Sequence, residues 1–116
     1  MTCIPRSALA TAAVGIAALM FSATASALDA DAAKELATDN DCFKCHAVDK
    51  TKKGPSYKKI AAKYKGKEAE GEKAILKNLT TGPKVKLEDG TEEEHKIIDT
   101  KDPKAIKNLT DWILSR

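Results

Sequence analysis

The stretch Cys42-Phe43-Lys44-Cys45-His46 sets two cysteines two residues apart, with a histidine directly after the second. This is the spacing that attaches a c-type haem. Each thiol adds to one vinyl group of the porphyrin, and the short turn between them brings the His46 ring beneath the iron as its proximal ligand. Two other readings compete. A thioredoxin-type Cys-x-x-Cys requires a βαβ setting, and the flanks carry no strand pattern. A zinc site could draw on Cys42, Cys45, His46 and His95, but the usual paired knuckles or spaced His pair are missing.

The residues before the motif agree with haem attachment, which in bacteria takes place outside the cytoplasm. Residues 1–27 have the pattern of a secretory signal: Arg6, an apolar run from Ala8 to Phe21, then the small residues Ala25-Ser26-Ala27. Cleavage is expected after Ala27, removing Cys3 with the leader. The run is too short for the ~20 residues a membrane span needs, so no stable span is expected after cleavage, and the expected location is the periplasm. The two cysteines that remain both belong to the haem motif, so no disulfide framework is expected.

Residues 28–116 form one domain. They include 15 Leu, Ile or Val residues and four aromatics, Phe43, Tyr57, Tyr64 and Trp112. That is a thin core, which a buried porphyrin would complete, and the apo-protein is expected to be poorly folded. Apolar spacing predicts helices over Ala30–Thr38, from Tyr57 to near Gly66, and over Glu72–Thr80. Another starts at Asp102-Pro103, with Ile106, Leu109 and Ile113 on one face. Residues 83–101 show no period and read as a long loop of the functional kind. The fold class is therefore all-α. The first and last helices are expected to pack together and to bury Leu36 and Trp112. Lys-Asn-Leu-Thr occurs at residues 77–80 and 107–110, which is too little for a repeat architecture.

The chain resembles the small bacterial class I cytochromes c. The likeness is carried by Cys42 to His46, Ala47-Val48-Asp49, Gly54-Pro55 eight and nine residues after the histidine, the helix from Tyr57 to Lys63, and the last helix with its tryptophan. The resemblance implies a class I fold wrapped around one covalently bound haem c. It also implies that the Pro55 carbonyl accepts the proton of the second His46 ring nitrogen, fixing the tautomer. The family's sixth ligand is a methionine. Here the only methionines are Met1 and Met20, both in the leader, so His-Met ligation is impossible in the mature chain. His95, 17 residues before Trp112, stands near the family's ligand position, which makes His46 and His95 the expected pair of iron ligands. A vacant or water-filled sixth site, or ligation by Lys96, is the alternative.

Charge is unevenly spread. Residues 44–67 hold nine lysines against Asp49 alone, whereas residues 68–102 hold ten acids and six lysines. Lys44, Lys50, Lys52, Lys53, Lys58 and Lys59 form a candidate docking face for an acidic redox partner, or else a solvated surface. The export signal and the lack of interleaved aromatics argue against nucleic acid.

The function expected from these readings is single-electron transfer between redox proteins, without chemistry of its own. Bis-histidine ligation would give a low potential, since Met/His ligation is the combination that raises it. The alternative is a haem protein with an open or displaceable sixth site that binds or senses O₂, NO or CO. A peroxidase-like enzyme is the weakest reading, because no distal acid–base apparatus is recognisable.

Overall fold

The computed structural model describes residues 27–116, together with Gly15 and Ile16. The expected leader otherwise lies outside the described residues. Four helices run in chain order: α1 (Ala30–Asp39), α2 (Tyr57–Lys63), α3 (Glu68–Thr81) and α4 (Pro103–Leu114). A 3-10 turn at Cys42–Lys44 follows α1, and two short strands, β1 (Lys84–Lys86) and β2 (Glu92–Glu94), lie between α3 and α4. Among the described residues no helix is long and apolar enough to cross a membrane.

Three of the helices start on a side-chain cap. Asp29 accepts from the Ala32 N–H at 3.0 Å, Ser56 from Lys59 at 3.1 Å, and Asp102 from Lys104 at 3.0 Å, with Pro103 in the first turn of α4. Each cap satisfies an amide that the helix itself cannot. α3 begins a turn earlier than its apolar spacing suggests. Gly71 lies inside α3, where Tyr64 and Leu114 press against it. A Cβ there would stand 2.8 Å from Leu114 Cδ2 and from Tyr64 Cβ.

α4 is the central element, packed by α1, α2 and α3. Ala33 and Ala37 let α1 approach closely, and Leu109, Trp112 and Ile113 form the middle of the core. Trp112 is fully buried, with its ring edge-on to Tyr57 and Phe43. Leu36 is only partly buried, packing against the core from its margin. Asn108 exchanges two hydrogen bonds with the backbone of Asp29, at 2.9 and 2.8 Å, fastening the start of α1 to α4.

The expected long loop at residues 83–101 is in part a β-hairpin, a small two-stranded addition to a mostly helical fold. β1 and β2 pair antiparallel, with Lys84 opposite Glu94, Val85 opposite Glu93 and Lys86 opposite Glu92. Two of the three pairs set a lysine against a glutamate, and opposite charges facing each other stabilise such a ladder. Strands of three residues are too short to show a period, and glutamate is depleted in strands generally.

Candidate haem site

The attachment loop is built from the backbone upward. Asn40 ends α1, and Asp41 then takes a left-handed conformation (φ 58°), which Asp tolerates better than most residues. This swings the chain into the 3-10 turn. The Cys45 and His46 amides both donate to the Cys42 carbonyl, at 3.2 and 2.9 Å. Both thiols and the imidazole therefore come from one tight turn, and all three line one cavity of about 440 Å³. The Lys52 ammonium donates to the Phe43 carbonyl across the loop.

His46 is held from three sides. Its Nδ1 lies 2.7 Å from the Pro55 carbonyl. A carbonyl can only accept, so Nδ1 carries the proton and Nε2 is left as a free donor atom. Tyr57 stacks on the ring at 5.3 Å between centroids, with the planes 22° apart. Gly54 touches the ring closely: a Cβ at that position would stand 2.8 Å from Cε1 and 3.2 Å from Nδ1. Burial pushes the imidazole pKa down, against the Pro55 carbonyl, which raises it, and so favours the neutral ring a metal requires. Burial likewise pushes the Cys42 thiol up.

His95 follows β2 directly and lines the same cavity. Its N–H donates to the Pro83 carbonyl at 2.9 Å. Its Nδ1 lies 2.9 Å from the Lys96 carbonyl, so it too carries its proton on Nδ1 and offers Nε2. The two imidazole rings lie 6.3 Å apart between centroids, inclined by 40°. Gly82 makes room for this segment. It takes φ +58° at the end of α3, and a Cβ there would stand 2.9 Å from the His95 carbonyl oxygen.

Much of the apolar lining comes from Ile60, Ile75, Leu79, Leu109 and Ile113 on three helices, with Val85 of β1 and Ile98 beyond His95. An apolar cavity of this size with a few convergent polar groups suits a large planar ligand. Two thiols and two bare imidazole nitrogens make a donor set that fits haem c.

All six lysines of the candidate docking face are exposed. Lys44 pairs with Asp41 at 3.2 Å, Lys58 with Asp49 at 2.8 Å, and Lys52 is tied to Phe43. Lys50, Lys53 and Lys59 form no ion pair among the described residues. Sequence reading passed over Asn40, Gly82 and the stacking role of Tyr57. The i, i+3, i+4 pattern of α2 marks Tyr57 as inward-facing without saying what it meets.

Helices around an apolar cavity that presents a Cys-x-x-Cys-His turn define a small class I haem protein. Residues 30–116 match the cytochrome c family model, and the chain belongs to that family. It is similar to cytochrome c-551 of Pseudomonas denitrificans, 30% identical over 82 residues, covering 71% of this chain and 94% of the relative. The crystal structure of the class 1 cytochrome MtoD from Sideroxydans lithotrophicus ES-1 superposes with a TM-score of 0.71. It is 61% identical and is matched over 77% of this chain and 97% of that one. The protein is thus an electron carrier with a covalently attached haem c, to which the Cys42-x-x-Cys45-His46 motif fits, and it works with redox partners.

Proposed function

We propose that this protein is a periplasmic carrier of single electrons at low potential. In this reading Cys42 and Cys45 would hold the haem by thioethers, and His46 and His95 would each supply its iron with an imidazole nitrogen. The observation that carries it is the 6.3 Å between the two ring centroids. Two imidazoles sharing one metal ion, through nitrogens at about 2.0–2.1 Å each, would have centroids up to roughly 6 Å apart. Each ring also has its Nδ1 committed to a carbonyl and its Nε2 free.

When bound, the haem supplies a one-electron ferric/ferrous couple. The chain's own part is to hold both ligands still, so that little moves when the charge changes. Pro55, Gly54 and Tyr57 fix His46, and the Pro83 and Lys96 carbonyls fix His95. Ile75, Leu79, Leu109 and Ile113 keep water from the cavity. Two imidazoles without a thioether ligand favour a potential below that of His-Met relatives. Lys50, Lys53 and Lys59, which have no ion pair among the described residues, support docking to an acidic partner. Periplasmic location rests on the export signal read at residues 1–27 and on the motif, which is filled outside the cytoplasm.

Absorption spectra of the oxidised and reduced protein, with and without CO, test this reading. Low-spin iron in both states, no methionine–iron band near the red end, and slow CO uptake are expected. A high-spin ferrous protein that takes CO at once would overturn His95 as ligand and leave a gas-binding protein instead.

A further inference from the structure

We propose that Asn40 is a positioning residue for His95: its side chain bolts the distal segment to the haem-attachment loop and sets how readily His95 can leave the iron. The inference rests on the reading of His95 as the sixth ligand.

Asn40 is a polar residue only 3% exposed. Its Oδ1 accepts from the Asp99 N–H at 2.9 Å, a contact that spans 59 residues. Its Nδ2 donates to the Leu36 carbonyl at 3.0 Å, within the end of α1. Both halves of the amide are thus used, and a side chain with only a donor or only an acceptor could not replace it. Asn40 also lines the cavity and stands two residues before Cys42. One amide therefore joins the turn that carries the thiols and His46 to the segment that carries His95.

The distal segment is a short strap. It is anchored upstream where the His95 N–H meets the Pro83 carbonyl, and downstream where the Ile98 N–H meets the Leu79 carbonyl. Lys96 and Ile97, between the anchors, are exposed. The downstream anchor has two parts, one to α3 and one to Asn40. The Ile98 bond belongs to backbone alone, and Ile98 is buried. The Asn40 bond is the side-chain-made part of that anchor. For His95 to swing away from the cavity, the strap must lengthen, and its downstream end is held at Asp99. Loss of the Asn40 amide takes the partner from the part-buried Asp99 N–H bond and frees that end.

The test is CO binding to the ferrous holoprotein, followed by stopped flow in the unmutated protein, Asn40→Ala, His95→Ala and the double variant. Asn40→Ala is expected to remain low-spin and to bind CO about tenfold faster, the scale set by one hydrogen bond. In the His95→Ala background, Asn40→Ala is expected to add nothing, because it acts through His95. An unchanged rate in Asn40→Ala would overturn the proposal. So would an equal acceleration in the His95→Ala background, which marks a general loosening of the fold. A high-spin unmutated protein overturns His95 ligation itself, and the Asn40 inference with it. Should Asn40→Ala fail to accumulate with haem, amide exchange in the unmutated protein gives the answer. The Asp99 N–H is expected to exchange about tenfold faster with CO bound than without it. Equal exchange in the two states would overturn the proposal.

Discussion

The imidazole rings of His46 and His95 face one cavity 6.3 Å apart and inclined by 40°, each with Nδ1 against a backbone carbonyl. The two rings are supported unequally. His46 is half-enclosed by Tyr57, Gly54 and Pro55, whereas the Lys96 carbonyl that meets His95 belongs to an exposed neighbour. In the proposed ligation His95 is therefore the ring expected to exchange.

His95→Ala should give a five-coordinate ferrous protein that binds CO rapidly and shows high-spin absorption. His95→Met should raise the midpoint potential by on the order of 100 mV, a fraction of the ~0.8 V span that axial ligands command. Redox titration of the two variants beside the unmutated protein checks both statements. A His95→Ala protein that stays low-spin would show that another side chain holds the site.

Much of the fold was legible because its helices announce themselves. Asp102-Pro103 marks the start of α4, and Ile106, Leu109 and Ile113 mark its inner face. The covalent motif and the Gly54-Pro55 offset were legible as well, since both are local in sequence. What was hidden depends on contacts between distant residues. The first turn of α3 is hidden because Gly71 within it fits against Tyr64 and Leu114, which lie far off in the chain or outside the helix. The β1–β2 hairpin reads as a charged loop until its register sets lysine against glutamate. Asn40 stands in the polar trio Asp39-Asn40-Asp41, which signals only that a helix stops. Its partner lies 59 residues away.

Gly54 offers a direct test of the proximal side. A methyl group there would meet His46 Cε1 at 2.8 Å, inside any normal contact. The ring is braced by Tyr57 and the Pro55 carbonyl, so it has little room to yield. Gly54→Ala should cost about 1–3 kcal/mol, as overpacking does elsewhere. It should also weaken the hydrogen bond to Pro55, which lowers the basicity of the ligand and raises the potential. Denaturant unfolding and redox titration of the holoprotein are the measurements. A variant as stable as the parent, with the same potential, would mean the loop can back away freely.

The hairpin tip should respond to acid. Asp89 accepts from the Thr91 hydroxyl at 2.6 Å and from the Thr91 N–H at 3.0 Å, and these bonds hold its carboxyl below the usual carboxylate range. A depressed folded pKa means that the stabilisation is fully present above the unfolded value, about 4. It is lost as the pH falls through the folded value. The same tip rests on the proximal loop, where the Glu88 N–H meets the Lys53 carbonyl at 3.1 Å. Thr91→Val should raise the Asp89 pKa toward its ordinary value, read by NMR titration of the carboxyl carbon. Coincident titrations in the parent and the variant would show that Thr91 does not set it.

The lysine face can be separated into residues that are already engaged and residues that are free. Lys44 and Lys58 have carboxylate partners, and Lys52 is committed to the Phe43 carbonyl. Lys50 and Lys59 have no ion pair among the described residues, so their charge is available to an incoming anion. Oxidation of the ferrous protein by ferricyanide is a suitable probe, because that reagent is a compact anion with no shape to recognise. Lys50→Glu combined with Lys59→Glu should slow the reaction several-fold to about tenfold at low salt. The same pair of changes at Lys44 and Lys58 shifts the net charge equally and takes the partners from Asp41 and Asp49, so a comparable slowing is expected there. At about 0.5 M salt all variants should converge on the parent rate, since screening then acts within a few ångströms. Rates equal to the parent's at low salt would assign the nine lysines of residues 44–67 to solubility rather than docking.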